Sequence, residues 1–175
     1  MKTIITALLG GLMFIVILAA SALVYARSTG LSARPTPGAI ETRGARSLRR
    51  LAVPADLRGR TNPESKTVEV LDQVRAHFAK QCAICHANNG SGKTEIGGNM
   101  YPPAPDMRTG DTQDLSDGEL FNIIKNGVRF TGMPGWGGED EDNWKLVLFI
   151  RHLPKLSQIE LHLMREVNDQ GPEQE

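Results

Sequence analysis

Two cysteines three positions apart with a histidine directly after them, Cys82-Ala83-Ile84-Cys85-His86, constrain this chain more than any other stretch. Each thiol of such a pair can add across one vinyl group of a porphyrin while the imidazole reaches the iron, so the pattern predicts one covalently attached haem c. Two thioether bonds would fix the macrocycle against a single turn of backbone. These are the only two cysteines in 175 residues, which lets competing readings be weighed. A redox dithiol needs a βαβ surround, and no alternation of strand and helix patterns flanks the motif. A structural zinc site needs further nitrogen or sulfur ligands at close spacing, and besides His86 only His77 lies near.

If His86 takes one axial position of the iron, the other falls to methionine or a second histidine, and the Met/His pair is the ligation that raises a reduction potential for electron transfer. Met100, Met107, Met133 and Met164 follow the motif. Met133 lies in Phe130-Thr131-Gly132-Met133-Pro134-Gly135-Trp136-Gly137-Gly138, too rich in glycine and proline for a helix and set between two helical patterns. Such a loop can lay a thioether across an open haem face, and the 47 positions between His86 and Met133 leave chain for one loop and one helix around a porphyrin. The expected iron ligands are therefore His86 and Met133. Met133 as a gap-filling core side chain is the plain alternative. Met100, Met107, His77, His152 and His162 are the other ligand candidates.

The zero formal charge hides an uneven distribution: residues 27–60 hold eight arginines against Glu41 and Asp56, whereas residues 61–175 hold eleven Lys and Arg against eighteen Asp and Glu. Ahead of the basic stretch, the uncharged run from Ile4 to Ala26 is long enough, at about 1.5 Å per helical residue, to cross a hydrocarbon core of roughly 30 Å. Ala20-Ser21-Ala22 resembles a signal-peptide cleavage site. Apolarity continues past it through Leu23, Val24 and Tyr25, which favours a retained transmembrane anchor over residues 1–26. Residues 27–65, rich in Arg, Pro and Gly, read as a tether. Within it a short basic helix between Ile40 and Arg50 is compatible with the pattern, with Leu48, Leu51 and Val53 as apolar contacts. A solvated spacer is the plain reading, and a basic face on anionic lipid headgroups the functional one.

A compact domain is expected over residues 66–154, followed by a C-terminal helix and tail over 155–175. Its first helix, about Thr67 to Gln81, has Val68, Leu71, Val74 and Phe78 at helical spacing and delivers the chain into the cysteine motif. Tyr101-Pro102-Pro103-Ala104-Pro105-Asp106-Met107 is forced to be extended, and a carbonyl of Pro102 or Pro103 is placed to accept the Nδ1 hydrogen of His86. Ser116 and Glu119 form a capping box opening a helix to about Asn126, which ends at Gly127. Acidic residues 140–142 precede a last core helix, Asp142 to about Leu153, bearing Trp144, Leu146, Val147, Phe149 and Ile150. Ser157 caps a further helix with Ile159, Leu161, Leu163 and Met164. No strand is expected, so the fold class is all-α.

Taken together, Cys82-x-x-Cys85-His86 after a helix with Phe78, Pro102-Pro103-Ala104-Pro105-Asp106, Ser116 to Leu120, Thr131 to Trp136, and Asn143-Trp144 with Val147, Phe149, Ile150 and Arg151 resemble a class I mono-haem c-type cytochrome domain. The likeness is to the membrane-tethered bacterial kind related to cytochrome subunits of respiratory oxidases. It implies an all-α cytochrome c-like domain whose first and last helices cross near the haem. By position it assigns Cys82 and Cys85 to the thioether bonds, His86 and Met133 to the iron, and one-electron transfer to the whole. Two residues depart from the pattern: Ala87 follows the histidine where glycine is frequent, and Val74 stands where a small residue is frequent.

The resemblance makes the protein an electron carrier rather than an enzyme, in a respiratory or dehydrogenase-linked chain. Redox proteins or membrane-complex subunits are its expected partners, and nucleic acid is not. A docking subunit of a membrane redox complex, or a haem sensor with a labile methionine, are the alternatives. Arg27, Arg34 and Arg43 after the apolar run favour a cytoplasmic C-terminus by the positive-inside bias. The resemblance implies the opposite, a haem domain on the periplasmic side of the bacterial inner membrane, because covalent attachment in this family takes place outside the cytoplasm.

Overall fold

A computed structural model describes residues 2–168, and the chain divides into two units at Pro35 and Thr36. The first is a single helix, α1 (Lys2–Thr29), whose apolar 18-residue stretch has a mean hydropathy of 2.6, long and apolar enough to cross a membrane. Among the described residues no strand occurs in either unit, in line with the all-α expectation.

The second unit opens with α2 (Ala39–Leu51) and then α3 (Val68–His77), whose N-terminus is closed by Thr67, its hydroxyl accepting from the Val70 amide at 3.3 Å. The predicted helix to Gln81 does not continue as α. From Phe78 to Cys82 it widens into a π-helical turn, the form of helix that recurs at functional sites. A short α4 (Ala83–His86) completes the motif. Next come the single-turn helices α5 (Glu95–Gly98) and α6 (Gly110–Gln113), then α7 (Asp117–Asn126), α8 (Asp140–His152) and α9 (Gln158–Arg165). The capping box at Ser116 and Glu119 is present in both directions, and Ser157 with Glu160 repeats it on α9. The tail beyond Asn168 lies outside the described residues.

Helix α8 is the hub, packing against both α3 and α7. Phe149 meets Phe78 at 5.0 Å between ring centroids, and Trp144 stacks on Phe121 at 4.2 Å; such aromatic pairs add about 0.5–1.5 kcal/mol beyond their area. Val74 is buried beside them in the same core. Arg151 ties the end of α8 to the start of α7, donating to Asp117 at 2.9 and 3.0 Å, to the Gln113 carbonyl at 2.6 Å and to the Leu115 carbonyl.

The stretch read as a tether is folded for much of its length. Val53 and Leu57 belong to the core, and the Leu57 carbonyl lies so close to Gly118 that no side-chain carbon fits there. Asn62 donates to the Trp144 carbonyl at 2.8 Å, and the Arg60 guanidinium sits over the Trp144 ring. Arg58 turns back to satisfy the Leu51 and Val53 carbonyls at the end of α2. Helix α2 itself is held by Arg46, which forms a paired bridge to Asp111 at 2.8 and 2.5 Å, and by Glu41, whose carboxylate meets the Tyr101 hydroxyl at 2.7 Å. The expected apolar contacts of this segment divide: Val53 is 2% exposed, while Leu48 and Leu51 are 69% and 68% exposed.

Candidate haem site

The turn from Phe78 to His86 brings both cysteines and the histidine onto consecutive residues of one distorted helix. Neither cysteine is in a disulfide. Burial pushes the Cys82 thiol up to about 12, with the neighbouring Cys85 adding to the effect, and burial also raises Cys85. Both sulfurs are therefore protonated thiols at neutral pH, the reverse of the lowered pKa that a dithiol oxidoreductase uses.

Burial also lowers the proton affinity of His86, opposed by the backbone of Pro105, so the ring is held neutral with a lone pair free for a metal. Its Nδ1 is buried and makes no well-formed hydrogen bond. The group acting on it comes from Pro105, not from Pro102 or Pro103 as expected from the sequence. The physical reason is local. Gly97 packs directly on the Cys85 carbonyl and its own carbonyl accepts from the Ala104 amide at 2.9 Å, which ties the residue before Pro105 to the helix beside the motif.

The backbone around the motif is tightly bonded. The His86 carbonyl accepts from the Gly92 amide at 2.9 Å and the Cys85 carbonyl from the Thr94 hydroxyl at 3.2 Å, while the same hydroxyl oxygen caps α5 through the Gly97 amide. Asn88, fully buried, exchanges bonds with Asn168, which also donates to the Ala79 carbonyl at 2.8 Å. None of these three contacts was visible in the pattern of residues, because they join positions about 80 apart that carry no periodic signal. Ala87, at the end of the turn, has φ 59° and ψ 160°.

Of the methionine candidates, Met107 and Met164 are core residues at 6% and 0% exposure. Met133 is half-buried in its loop, and Met100 packs its sulfur against Gly132 next door. The loop is pinned to the end of α7. Trp136 and Gly137 amides donate to the Ile124 and Lys125 carbonyls at 3.1 and 2.9 Å, the Met133 carbonyl accepts from Val128, and its amide donates to the Thr131 hydroxyl. Asn143 of α8 holds the far side through the Gly137 carbonyl at 2.6 Å. Among the histidines, the His152 ring is engaged by Glu160 at 2.7 Å and His162 lies exposed near Glu166. No three His, Cys, Asp or Glu side chains gather as a metal group among the described residues.

Two protonated thiols and a neutral imidazole on one turn are the donor set that a covalently held haem requires, and the residues fit that group. The family model described as cytochrome C oxidase, cbb3-type, subunit III matches residues 69–150. No curated protein matches the chain.

Proposed function

From the premise that residues 69–150 are a c-type cytochrome domain, and hence a haem-based electron-transfer module, we propose that this protein is a membrane-anchored one-electron carrier with a single haem c. The observation that carries this reading is the Cys82 to His86 turn lying inside the matched segment. In this reading Cys82 and Cys85 would hold the macrocycle through thioethers, and His86 and Met133 would be the iron ligands. The haem supplies a reversible one-electron couple. The protein would tune it: the Met133 loop, bonded at both ends, keeps a thioether in place, and the Pro105 backbone lies by the imidazole to accept its Nδ1 hydrogen. Were His86 and Met133 both to bind the iron, no site would be left for a substrate, and the haem would supply outer-sphere electron transfer. Helix α1 anchors the protein in the bacterial inner membrane with the haem domain on the periplasmic side, and the donor and acceptor are neighbouring redox proteins or subunits of a membrane complex.

Expression with haem-maturation factors tests the proposal. The colour should stay with the polypeptide through acid–acetone extraction and be lost from it in Cys82→Ala with Cys85→Ala. Met133→Ala should abolish the weak red absorption of a thioether–ferric iron bond and lower the reduction potential. An unchanged ferric spectrum in Met133→Ala would remove the axial assignment, and carbon monoxide binding by the reduced native protein at neutral pH would point to a sensor.

A further inference from the structure

Helix α2 is amphipathic, and its apolar side faces away from the domain. Ile40, Gly44, Ser47, Leu48 and Leu51 share an arc of about 100° on the helix, and Ile40, Leu48 and Leu51 are 88%, 69% and 68% exposed. The opposite side is occupied by the folded body: Arg46 is bridged to Asp111, and Thr42 and Arg49 are half-buried. Glu41 is also held by Tyr101, so these contacts fix the helix with its leucines outward. Arg43 and Arg50 are exposed and border the apolar stripe along one edge.

We infer that α2 is an interfacial helix that lies on an anionic phospholipid surface, with Ile40, Leu48 and Leu51 entering the acyl boundary and Arg43 and Arg50 meeting the headgroup phosphates. The inference rests on the reading of α1 as a membrane anchor. Continuity of the chain selects lipid as the occupant, because only residues 30–38 separate the end of the membrane-length helix from the start of α2. Charge agrees: an apolar stripe edged by arginines is complementary to a bilayer with negative headgroups. A protein partner is disfavoured by size, since three large apolar side chains fall well short of the roughly 800 Å² per side that a stable interface covers. The arginines divide by role. Arg46 and Arg49 serve the contact with the domain, so lipid binding belongs to Arg43 and Arg50.

The test uses the full haem-loaded protein in nanodiscs of phosphatidylethanolamine and phosphatidylglycerol, with the photoreactive residue p-benzoylphenylalanine placed singly at Leu18, Leu48, Leu51 or Ile159. All except Leu18 are exposed positions on the second unit, and Ile159, 73% exposed on α9, controls for hydrophobicity alone. Phospholipid adducts are read by mass spectrometry. We expect yields at 48 and 51 comparable to that at 18 and roughly tenfold above that at 159. Arg43→Gln with Arg50→Gln should reduce the yield at 48 about threefold, with no change in the haem spectrum. Adducts at 18 without adducts at 48 or 51, equal labelling at 159, or cross-linking of 48 to a second protein chain would each overturn the interfacial helix while leaving the anchor standing. No lipid adduct at 18 would remove the anchor reading, and this inference with it.

Discussion

Ala87 occupies a region of backbone space that is close to glycine-only, and a residue with a β-carbon held there costs about 1–3 kcal/mol. The departure from glycine after the histidine was legible in the sequence, but its cost was not, because only the turn after α4 sets the sign of φ. Ala87→Gly removes the strain and loses one buried methyl, about 0.8 kcal/mol, plus some chain entropy at about 0.5 kcal/mol. At mid-range the strain, about 2 kcal/mol, exceeds the combined loss of about 1.3 kcal/mol, so the substitution should stabilise the holoprotein by about 0.7 kcal/mol, seen as a higher midpoint in thermal or denaturant unfolding. A loss of stability would mean that the turn is unstrained. Next to the motif, Asp106 has its carboxyl held below the usual range mainly by the Arg108 side chain, which donates to it at 2.9 and 2.7 Å. A depressed folded pKa contributes stability above the unfolded value of roughly 3.9 and loses it as pH falls through the folded one. Unfolding free energy followed from about pH 6 down to about pH 2.5 should therefore fall less steeply in Asp106→Asn than in the native chain.

At the level of elements, the packing of residues 53–62 on α7 and α8 decides how the domain is bounded. Gly118 accommodates the Leu57 carbonyl only because it lacks a β-carbon. Gly118→Ala should cost about 2–3 kcal/mol by overpacking and expose Arg58 and Arg60 to trypsin in limited proteolysis; resistance equal to the native protein would refute the docking. Helices with a clear apolar period or a capping box, α7, α8 and α9, were legible from residues alone. So was the Met133 loop, from its glycines and prolines. What escaped was this segment, since Val53 and Leu57 are two isolated apolar residues amid arginines and prolines, without the period that marks a core-facing helix. The π-helical turn escaped as well, because nothing in Phe78 to Cys82 distinguishes five residues per bond from four. Met107 was undecidable from sequence, and its burial follows from the proline segment carrying it under α8, where Gln113 bridges the Met107 and Ile150 carbonyls.

The whole molecule is electrically lopsided, with an arginine-rich stretch at residues 27–60 and an acidic remainder. Attraction between exposed charges is screened within about 8 Å at physiological salt, so the rate of electron exchange with a positively charged partner should fall as ionic strength rises; stopped-flow mixing with a basic cytochrome would measure it, and a rate indifferent to salt would deny the acidic part a docking role. The short span between α1 and α2 has a mechanical meaning. A tether over residues 27–65 would have let the haem range across more than about 100 Å, whereas residues 30–38 reach about 30 Å when fully drawn out. On the proposed reading, with α1 in a bilayer, this short span keeps the haem domain tethered within about 30 Å of the end of its membrane helix, so exchange would be confined to partners at the same membrane, at a raised local concentration.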